Sequence, residues 1–387
     1  MELLRITNIL DKILFFYLGI SVAYLFIFAI FSRFRRKDRY PQAKVHHRIL
    51  VLFPAYREDN VIESSVRSFL TQAYPTEFYT IVIISDQMKE ETNRQLGKLP
   101  VRLIEANYAN SSKAKALNLA IDFLKNEEYD IVVIMDADNL VQPDFLQEIN
   151  NAYYSGAMAI QAHRKAKNTD TDMAILDAAS EEMNNAYFRK GHVFAGLSSA
   201  LSGSGMAFDY TWFCDNIKQI SSSGEDKELE ILLLKQRIYI DYLDHVVVLD
   251  EKIKSSAAFY KQRQRWLAAQ FGSLKKAVSD LPGAIVSGNL DYTNKLVQWM
   301  MLPRLLLLGF ITLLSIIMLF IKIEWALKWW GLLVLLFITF GLAIPRELDN
   351  KRLEKAIRKI PWLFVLMFIN LFRLKGANQK FAHTEHR

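Results

Sequence analysis

Asp136 and Asp138 stand one residue apart, directly after the apolar run Ile131–Met135. Hard divalent cations take oxygen ligands and commonly share a few protein carboxylates with substrate phosphates. Two acids with one spacer can therefore offer one carboxylate to a metal and the other to a nucleotide. By itself the pair is ambiguous, because aspartate is also a favoured cap and turn residue. A second acidic pair, Glu225 and Asp226, follows Gly224. Asp226, with Glu225 beside it, could take the proton of an acceptor hydroxyl, although acids also suit the start of a helix. A third group is Gln262-Arg-Gln-Arg265-Trp266. Arg265 offers a planar fork for phosphate oxygens, and Trp266 a flat aromatic face. The same spacing suits an interfacial helix with arginines at lipid headgroups. Gly203-Ser-Gly205 lacks both the P-loop lysine and the dinucleotide G-x-G-x-x-G spacing, which argues against a nucleoside triphosphatase or a dehydrogenase. The seven histidines show no zinc-ligand spacing.

The elements that must hold these residues alternate. Ile49–Phe53 reads as a strand ended by Pro54, and a helix follows from Val61 with Asp59 or Asn60 as its N-cap. Thr80–Ser85, Val101–Glu105 and Ile131–Met135 read as further strands. Lys113–Lys125 has helical spacing, with Leu117, Ile121 and Leu124 on one face, and Pro143 opens another helix. Such alternation predicts an α/β fold, a mostly parallel mixed sheet with flanking helices. Ligands of such sheets bind beyond the carboxyl ends of the strands. Pro54–Glu58, Asp86 and Asp136–Asp138 are thus expected on one rim.

The chain has 387 residues, 51% of them apolar, with the excess gathered at the ends. Ile13–Phe31 is a run of 19 uncharged residues, which as a helix rises roughly 28 Å, enough to cross a bilayer core. It is longer and bulkier than a signal-peptide core. Arg33, Arg35, Arg36, Lys37 and Arg39 follow it, so the N-terminus is expected outside and the remainder in the cytosol, as in a bacterial inner-membrane protein. Ser256–Ala277 reads as a basic amphipathic helix. Leu305–Ile321 and Trp329–Ile344 predict a transmembrane hairpin, and Arg346–Lys359 a return to the cytosol. Ile360–Phe372 is too short to span and is expected to lie in the interface or re-enter. Five regions result: an anchor with basic flank at 1–40, a catalytic domain at 45–255, interface helices at 256–295, a hairpin at 296–345, and a basic and apolar tail at 346–387. The membrane runs carry no charged or broken-helix site apart from Arg304 near Pro303, which disfavours a transporter. A single cysteine, Cys214, suits a reducing compartment. The net charge of +7 gathers beside membrane segments, so anionic lipid, and no nucleic acid, is the expected partner.

Six motifs occur in order: Pro54-Ala55-Tyr56-Arg-Glu58 with Asp86, Lys113-Ala-Lys-Ala-Leu-Asn118, Asp136-Ala-Asp138, Gly203-Ser204-Gly205-Met206, Gly224-Glu225-Asp226 and Gln262-Arg-Gln-Arg265-Trp266. Together, over Val45–Leu267, they resemble the family 2 glycosyltransferases of the GT-A fold. Among these the chain is similar to membrane-bound synthases of β-linked polysaccharides such as cellulose, hyaluronan and poly-N-acetylglucosamine. The resemblance implies that Ala55, Tyr56, Glu58 and Asp86 surround the base and ribose of a UDP-sugar, with Lys113 and Asp136 also on the donor. It implies Mg²⁺ or Mn²⁺ at Asp138 and Asp136. Asp226, Glu225 and Arg265 would be catalytic, and Gly203, Ser204, Gly205, Gln262 and Trp266 would meet the acceptor. Ser112 stands where the family often has glycine. The expected activity is inverting transfer to a membrane-proximal acceptor, a growing β-linked polysaccharide. The alternatives are single transfer to a membrane lipid and a non-enzymatic scaffold or nucleotide-sugar sensor. So few membrane segments imply an oligomer or an accessory export subunit if the product is a polymer.

Overall fold

The computed structural model describes residues 2–34, 40–220, 224–348 and 350–373. It begins with a 30-residue helix, Glu2–Phe31 (α1). Strands and helices then alternate: Ile49–Tyr56 (β1), Ile62–Phe69 (α2), Tyr79–Asp86 (β2), Glu90–Leu96 (α3), Arg102–Ala106 (β3), Lys113–Phe123 (α4) and Ile131–Ile134 (β4). Next come Leu140–Val141 (β5), Phe145–Tyr154 (α5), Ala159–Ala166 (β6) and Asp172–Asn184 (α6). Helix α6 widens into a π-helical segment at Asn185–Lys190, followed by the short helix Gly191–Phe194 (α7). Met206–Asp209 (β7), Tyr210–Ile217 (α8), Glu225–Lys235 (α9) and Ile240–Asp250 (β8) complete the sheet domain. The remainder is helical: Ser256–Ala277 (α10), Leu281–Val286 (α11), Leu290–Met300 (α12), Arg304–Ile321 (α13), Ile323–Ala343 (α14), Lys351–Ile357 (α15) and Ile360–Leu371 (α16).

The strands form one sheet in the order β3-β2-β1-β4-β7-β6-β8-β5. The β3-β2-β1-β4 half is parallel, whereas β7 runs antiparallel to both β4 and β6. Alternate residues of each strand feed separate cores. Leu50, Leu52, Val132 and Ile134 pack on one face, and Val51, Phe53, Ile131 and Val133 on the other. Both faces being covered explains why these strands read as continuous apolar runs.

Two local expectations change. Pro54 does not end β1, which continues to Tyr56 in register with Asp86. Strand β4 pairs with β1 only as far as Leu52, so the N–H that proline lacks is not needed on that side. Neither Asp59 nor Asn60 caps α2; Val61 occupies that position without a side-chain cap. The Asp59 carboxylate instead accepts hydrogen bonds from the Lys89 N–H and the Thr92 hydroxyl, at 2.8 and 2.6 Å.

Among the described residues three helices are long and apolar enough to cross a membrane: Arg5–Phe31 within α1, α13 and α14. Only Lys322 separates α13 from α14, so they form a hairpin. Helix α16 has 12 residues, short of a span. Helices α1 and α14 extend beyond the uncharged runs, and in the added turns Asp11 of α1 is buried and bonds Lys328 and the Trp329 indole of α14. A charge inside such a bundle persists when it is paired. Helix α1 also docks on the sheet domain through Gly191, where any β-carbon would lie 2.4 Å from the Phe28 carbonyl oxygen. Helix α15 returns to α6: Arg352 donates to the Thr169 carbonyl, and Lys359 pairs with Asp172 at 2.9 Å. Arg35, Arg36, Lys37 and Arg39 of the basic cluster, and the tail from 374 onward, lie outside the described residues.

Candidate active site

The carboxyl ends of β1, β2 and β4 meet at one mouth, as their parallel register requires. Tyr56 and Asp86 are register partners at the ends of β1 and β2. The next residues, Arg57 and Gln87, have φ of +57° and +54°, a left-handed conformation that costs a non-glycine residue about 1–2 kcal/mol. Arg57 donates to the Gln87 side-chain oxygen at 2.6 Å, and Gln87 donates to the Tyr108 carbonyl at 2.6 Å. These bonds hold the turned backbone and leave Tyr56 and Asp86 at the rim. Asp86 is buried and accepts the Tyr108 N–H at 3.3 Å.

The turn after β4 is held by Asn139, which adjoins the aspartates but carries no sequence signal for that task. Its side chain accepts the Asp136 N–H at 3.1 Å and donates to Asp138 at 3.2 Å and to Asp250 at 3.3 Å. The other Asp138 oxygen accepts the Glu251 N–H at 2.9 Å. Burial, reinforced by Asp138, Asp136, Glu251 and Asp59, pushes the Glu58 carboxyl up to about 8. An all-oxygen set of crowded carboxylates fits a hard divalent cation, which would relieve that repulsion. Among the described residues no three His, Cys, Asp or Glu side chains are grouped to hold a metal, so such an ion would complete its shell with phosphate and water oxygens.

Lys113 ties the strand-end rim to the acid pair. Sequence alone is compatible with a solvated lysine, but its side chain is only 13% exposed. Its ammonium donates to Asp136 at 2.5 Å and to the Gly203 carbonyl at 2.6 Å, and lies 3.6 Å from Glu225. Ser112 caps α4 by accepting the Lys115 N–H, a task glycine could not perform. Glu225 and Asp226 open α9. Burial pushes the Glu225 carboxyl up to about 7, with Lys113 opposing the rise. The Asp226 side chain is the more open of the two, at 19%.

In α10 the buried guanidinium belongs to Arg263. It bonds Asp177 at 2.6 Å and lies 4.2 Å from the Trp266 ring centroid and 4.9 Å from that of Phe259. Gln262, Arg265 and Trp266 line the same cavity as the residues above. That cavity of about 770 Å³ holds Ala55, Tyr56, Glu58, Asp86, Lys113, Asp136, Asp138, Gly203, Glu225 and Asp226 in its wall. Ser204 and Gly205 are the exceptions. Ser204 is fully buried, and a β-carbon on Gly205, at φ +60°, would lie 2.9 Å from Val248. These two close the packing beneath the loop, and Gly203 is its residue at the cavity.

A buried ionic network with no counterpart in the motifs lies beside these residues. Arg164 and Lys252 share Asp250 at 2.6 and 2.8 Å, and Arg189 bonds Glu181 at 2.8 Å. Charged residues scattered over β6, α6, the π-helical segment and the end of β8 with the residues after it carry no sequence signal that the fold will bury them together.

A curved, mostly parallel sheet with an acidic rim and a cavity closed by amphipathic and apolar helices is the architecture of a GT-A glycosyltransferase. Residues 46–269 match the family model described as glycosyltransferase like family 2, more than half of the chain, and the protein belongs to that family. No curated protein matches it. Among solved structures, a mannosyltransferase from Pyrobaculum calidifontis in complex with GDP-Man and Mn²⁺ is 15% identical over 93% of this chain and 98% of its own, with a TM-score of 0.54. Glucosyl-3-phosphoglycerate synthase from Mycobacterium tuberculosis is 16% identical over 59% of this chain and 80% of its own, with a TM-score of 0.41. TarS (residues 1–349) from S. aureus is 15% identical over 84% and 92%, at 0.37.

Proposed function

We propose that the protein transfers one sugar, with inversion, from a nucleoside diphosphate sugar such as a UDP-sugar to a lipid-borne acceptor on the cytosolic side of the membrane. The observation that carries this reading is that one cavity brings these residues together. Its wall includes Asp136 and Asp138, then Glu225 and Asp226, then Gln262–Trp266, and finally Leu305, Leu308, Phe337, Phe340 and Ile344 of the apolar helices. A polysaccharide, the acceptor expected from the resemblance, presents hydroxyls that an apolar wall leaves unpaired. A hydrocarbon chain suits that wall.

Ala55, Tyr56, Glu58 and Asp86 would hold base and ribose, and Lys113 would fix Asp136 for the donor. Bound at Asp136 and Asp138, Mg²⁺ or Mn²⁺ would neutralise the diphosphate. Asp226 would take the acceptor O–H proton as that oxygen attacks the anomeric carbon and the bond to the diphosphate breaks. Arg265 would meet the charge of the departing diphosphate. Glu225, paired with Lys113, positions the ammonium. Gln262 and Trp266 would guide the acceptor. Arg33 and the basic segment Arg346–Lys359 support a cytosolic catalytic domain.

The experiment is a screen of UDP- and GDP-sugars with the full-length protein in membrane lipid, with mass analysis of the products. One added sugar on a lipid is expected, and a ladder of oligomers would restore the polysaccharide acceptor. Asp226→Asn should lower turnover at least about 100-fold while donor affinity holds. Unchanged turnover would remove Asp226 from the role of base.

A further inference from the structure

Helix α16 is apolar on two opposite faces. One face packs inward. Met367 meets Leu267 of α10 and Leu306 of α13, and Leu363 meets Phe259 of α10. The Phe364 ring lies so close to Gly309 of α13 that a β-carbon there would overlap it. Two polar bonds pin α16 to α10. The Tyr260 carbonyl accepts the Asn370 amide at 3.2 Å, and Gln264 donates to the Arg373 carbonyl at 2.6 Å. These bonds fall on either side of Gln262, so α16 seats the part of α10 that faces the cavity. The other face carries Trp362, Val365, Phe368 and Phe372 at three- and four-residue spacing. All four are exposed, Trp362 by 59% and Phe372 by 76%. An apolar stripe of this kind marks a protein or membrane contact.

Helix α15 stands on the same rim. Its Leu353 and Ala356 pack on Ile175 and Ala179 of α6. Lys351, Lys355 and Arg358 are exposed and form no ion pair among the described residues. The balance around them stays positive when the neighbouring acids are counted. Residues 346–359 hold six Lys/Arg against Glu347, Asp349 and Glu354. Asp170 and Asp172 face this segment from the start of α6. Lys165 pairs with Glu347, and Lys254 beside Asp170 pairs with Glu251. Eight cations thus stand against six carboxylates.

The stripe is continuous with a membrane span. Leu306, Gly309 and Phe310, which α16 touches, lie in the first two turns of α13, the end opposite the hairpin link at Lys322. A 12-residue helix at that end lies along the bilayer boundary rather than across it. Leu353, Ile357, Ile360, Leu363 and Met367 also line the cavity, so α15 and α16 are part of its wall.

We propose that α15 and α16 dock on an anionic bilayer leaflet, and that this docking holds the wall of the cavity. The stripe from Trp362 to Phe372 enters among the acyl chains. Lys351, Lys355 and Arg358 take the phosphates of anionic phospholipid headgroups. The bilayer surface is the occupant, and the excess of cations beside the stripe selects an anionic leaflet. Lipid that fixes α16 also fixes Tyr260 and Gln264, and with them the turn of α10 that carries Gln262.

The test uses the full chain in nanodiscs of phosphatidylcholine, alone or mixed with phosphatidylglycerol. A nitroxide is attached at Val365→Cys in a Cys214→Ser background, with Phe372→Cys as a second position. Both labels should be open to oxygen and shielded from an aqueous nickel chelate. Labels open to the chelate overturn the docking, and dipolar broadening between labels gives the stripe to a second copy instead. Spin-labelled phosphatidylglycerol should associate with the protein in preference to spin-labelled phosphatidylcholine, and salt should weaken that preference. Replacing Lys351, Lys355 and Arg358 together by Gln should lower the preference at least about three-fold; an unchanged preference removes these residues from the headgroups. Hydrogen exchange over residues 260–266 should be slower in the anionic bilayer, and the triple variant should lose the difference. Equal exchange in the two bilayers overturns the hold on the wall. No readout here requires sugar transfer, so the inference stands or falls separately from the glycosyltransferase reading.

Discussion

Lys113→Met removes the one ammonium that holds Asp136, the Gly203 carbonyl and Glu225 together. Taking away one partner of a buried pair costs about 3–5 kcal/mol, because the other charge stays behind. Here Glu225 is 9% exposed and Asp136 is 35% exposed. Water recovers part of the loss at Asp136, which leaves about 2–4 kcal/mol. Without Lys113, which now opposes the rise, the Glu225 carboxyl climbs above its present value of about 7. The deficit should therefore be larger at pH 8 than at pH 5.5, where Glu225 can take up a proton. The assay is urea denaturation followed by tryptophan fluorescence in detergent, at both pH values, for Lys113→Met, Glu225→Gln and the double variant. Glu225→Gln should recover about 1–2 kcal/mol in the Lys113→Met background at pH 8, a non-additivity that reports the contact. A loss under about 0.5 kcal/mol for Lys113→Met, or strict additivity in the double variant, would refute the pairing.

Three further outcomes follow from the geometry. Asp138→Asn should weaken Mn²⁺-dependent UDP binding by at least about ten-fold, read by titration calorimetry with and without the metal, whereas metal-free UDP binding should change little. Gly191→Ala places a β-carbon 2.4 Å from the Phe28 carbonyl oxygen and 2.8 Å from that of Ala186; backbone must move, so a loss of about 1–3 kcal/mol and a lower Tm are expected, and an unchanged Tm would break the docking of α1. The Glu225 carboxyl stands at about 7 in the folded chain against the usual 4.5, so between those values the folded state binds more protons and stability falls as pH rises. Denaturation midpoints between pH 4.5 and 7 should show a shallower fall in Glu225→Gln, and an identical slope would remove Glu225 as the source.

Much of the architecture was legible because it rests on local patterns. Strands buried on both faces read as apolar runs, helix α10 was bounded at Ser256–Ala277 as found, and the hairpin followed from two apolar stretches with one short link. The misreadings at Pro54 and Asp59 have a common reason. Whether a proline ends a strand depends on how far its neighbour extends, and whether an aspartate caps a helix depends on what other donors approach it. Neither is recorded in the residue's own surroundings along the chain.

The candidate site divides in the same way. Residue type and order along the chain mark which residues are chemically able to serve: the aspartates after β4, the acids at the start of α9, and the arginines and tryptophan of α10. Their types and order are enough, because coordination and proton transfer depend on side-chain chemistry. Folding makes Lys113 a buried link between two of these groups, puts Ser204 and Gly205 beneath the surface, and brings Arg304 to Ser180 and Arg263 to Asp177 on α6. Burial and net charge balance are properties of converging elements. Residues 177, 263 and 304 lie far apart along the chain, and only folding makes their charges answer to one another.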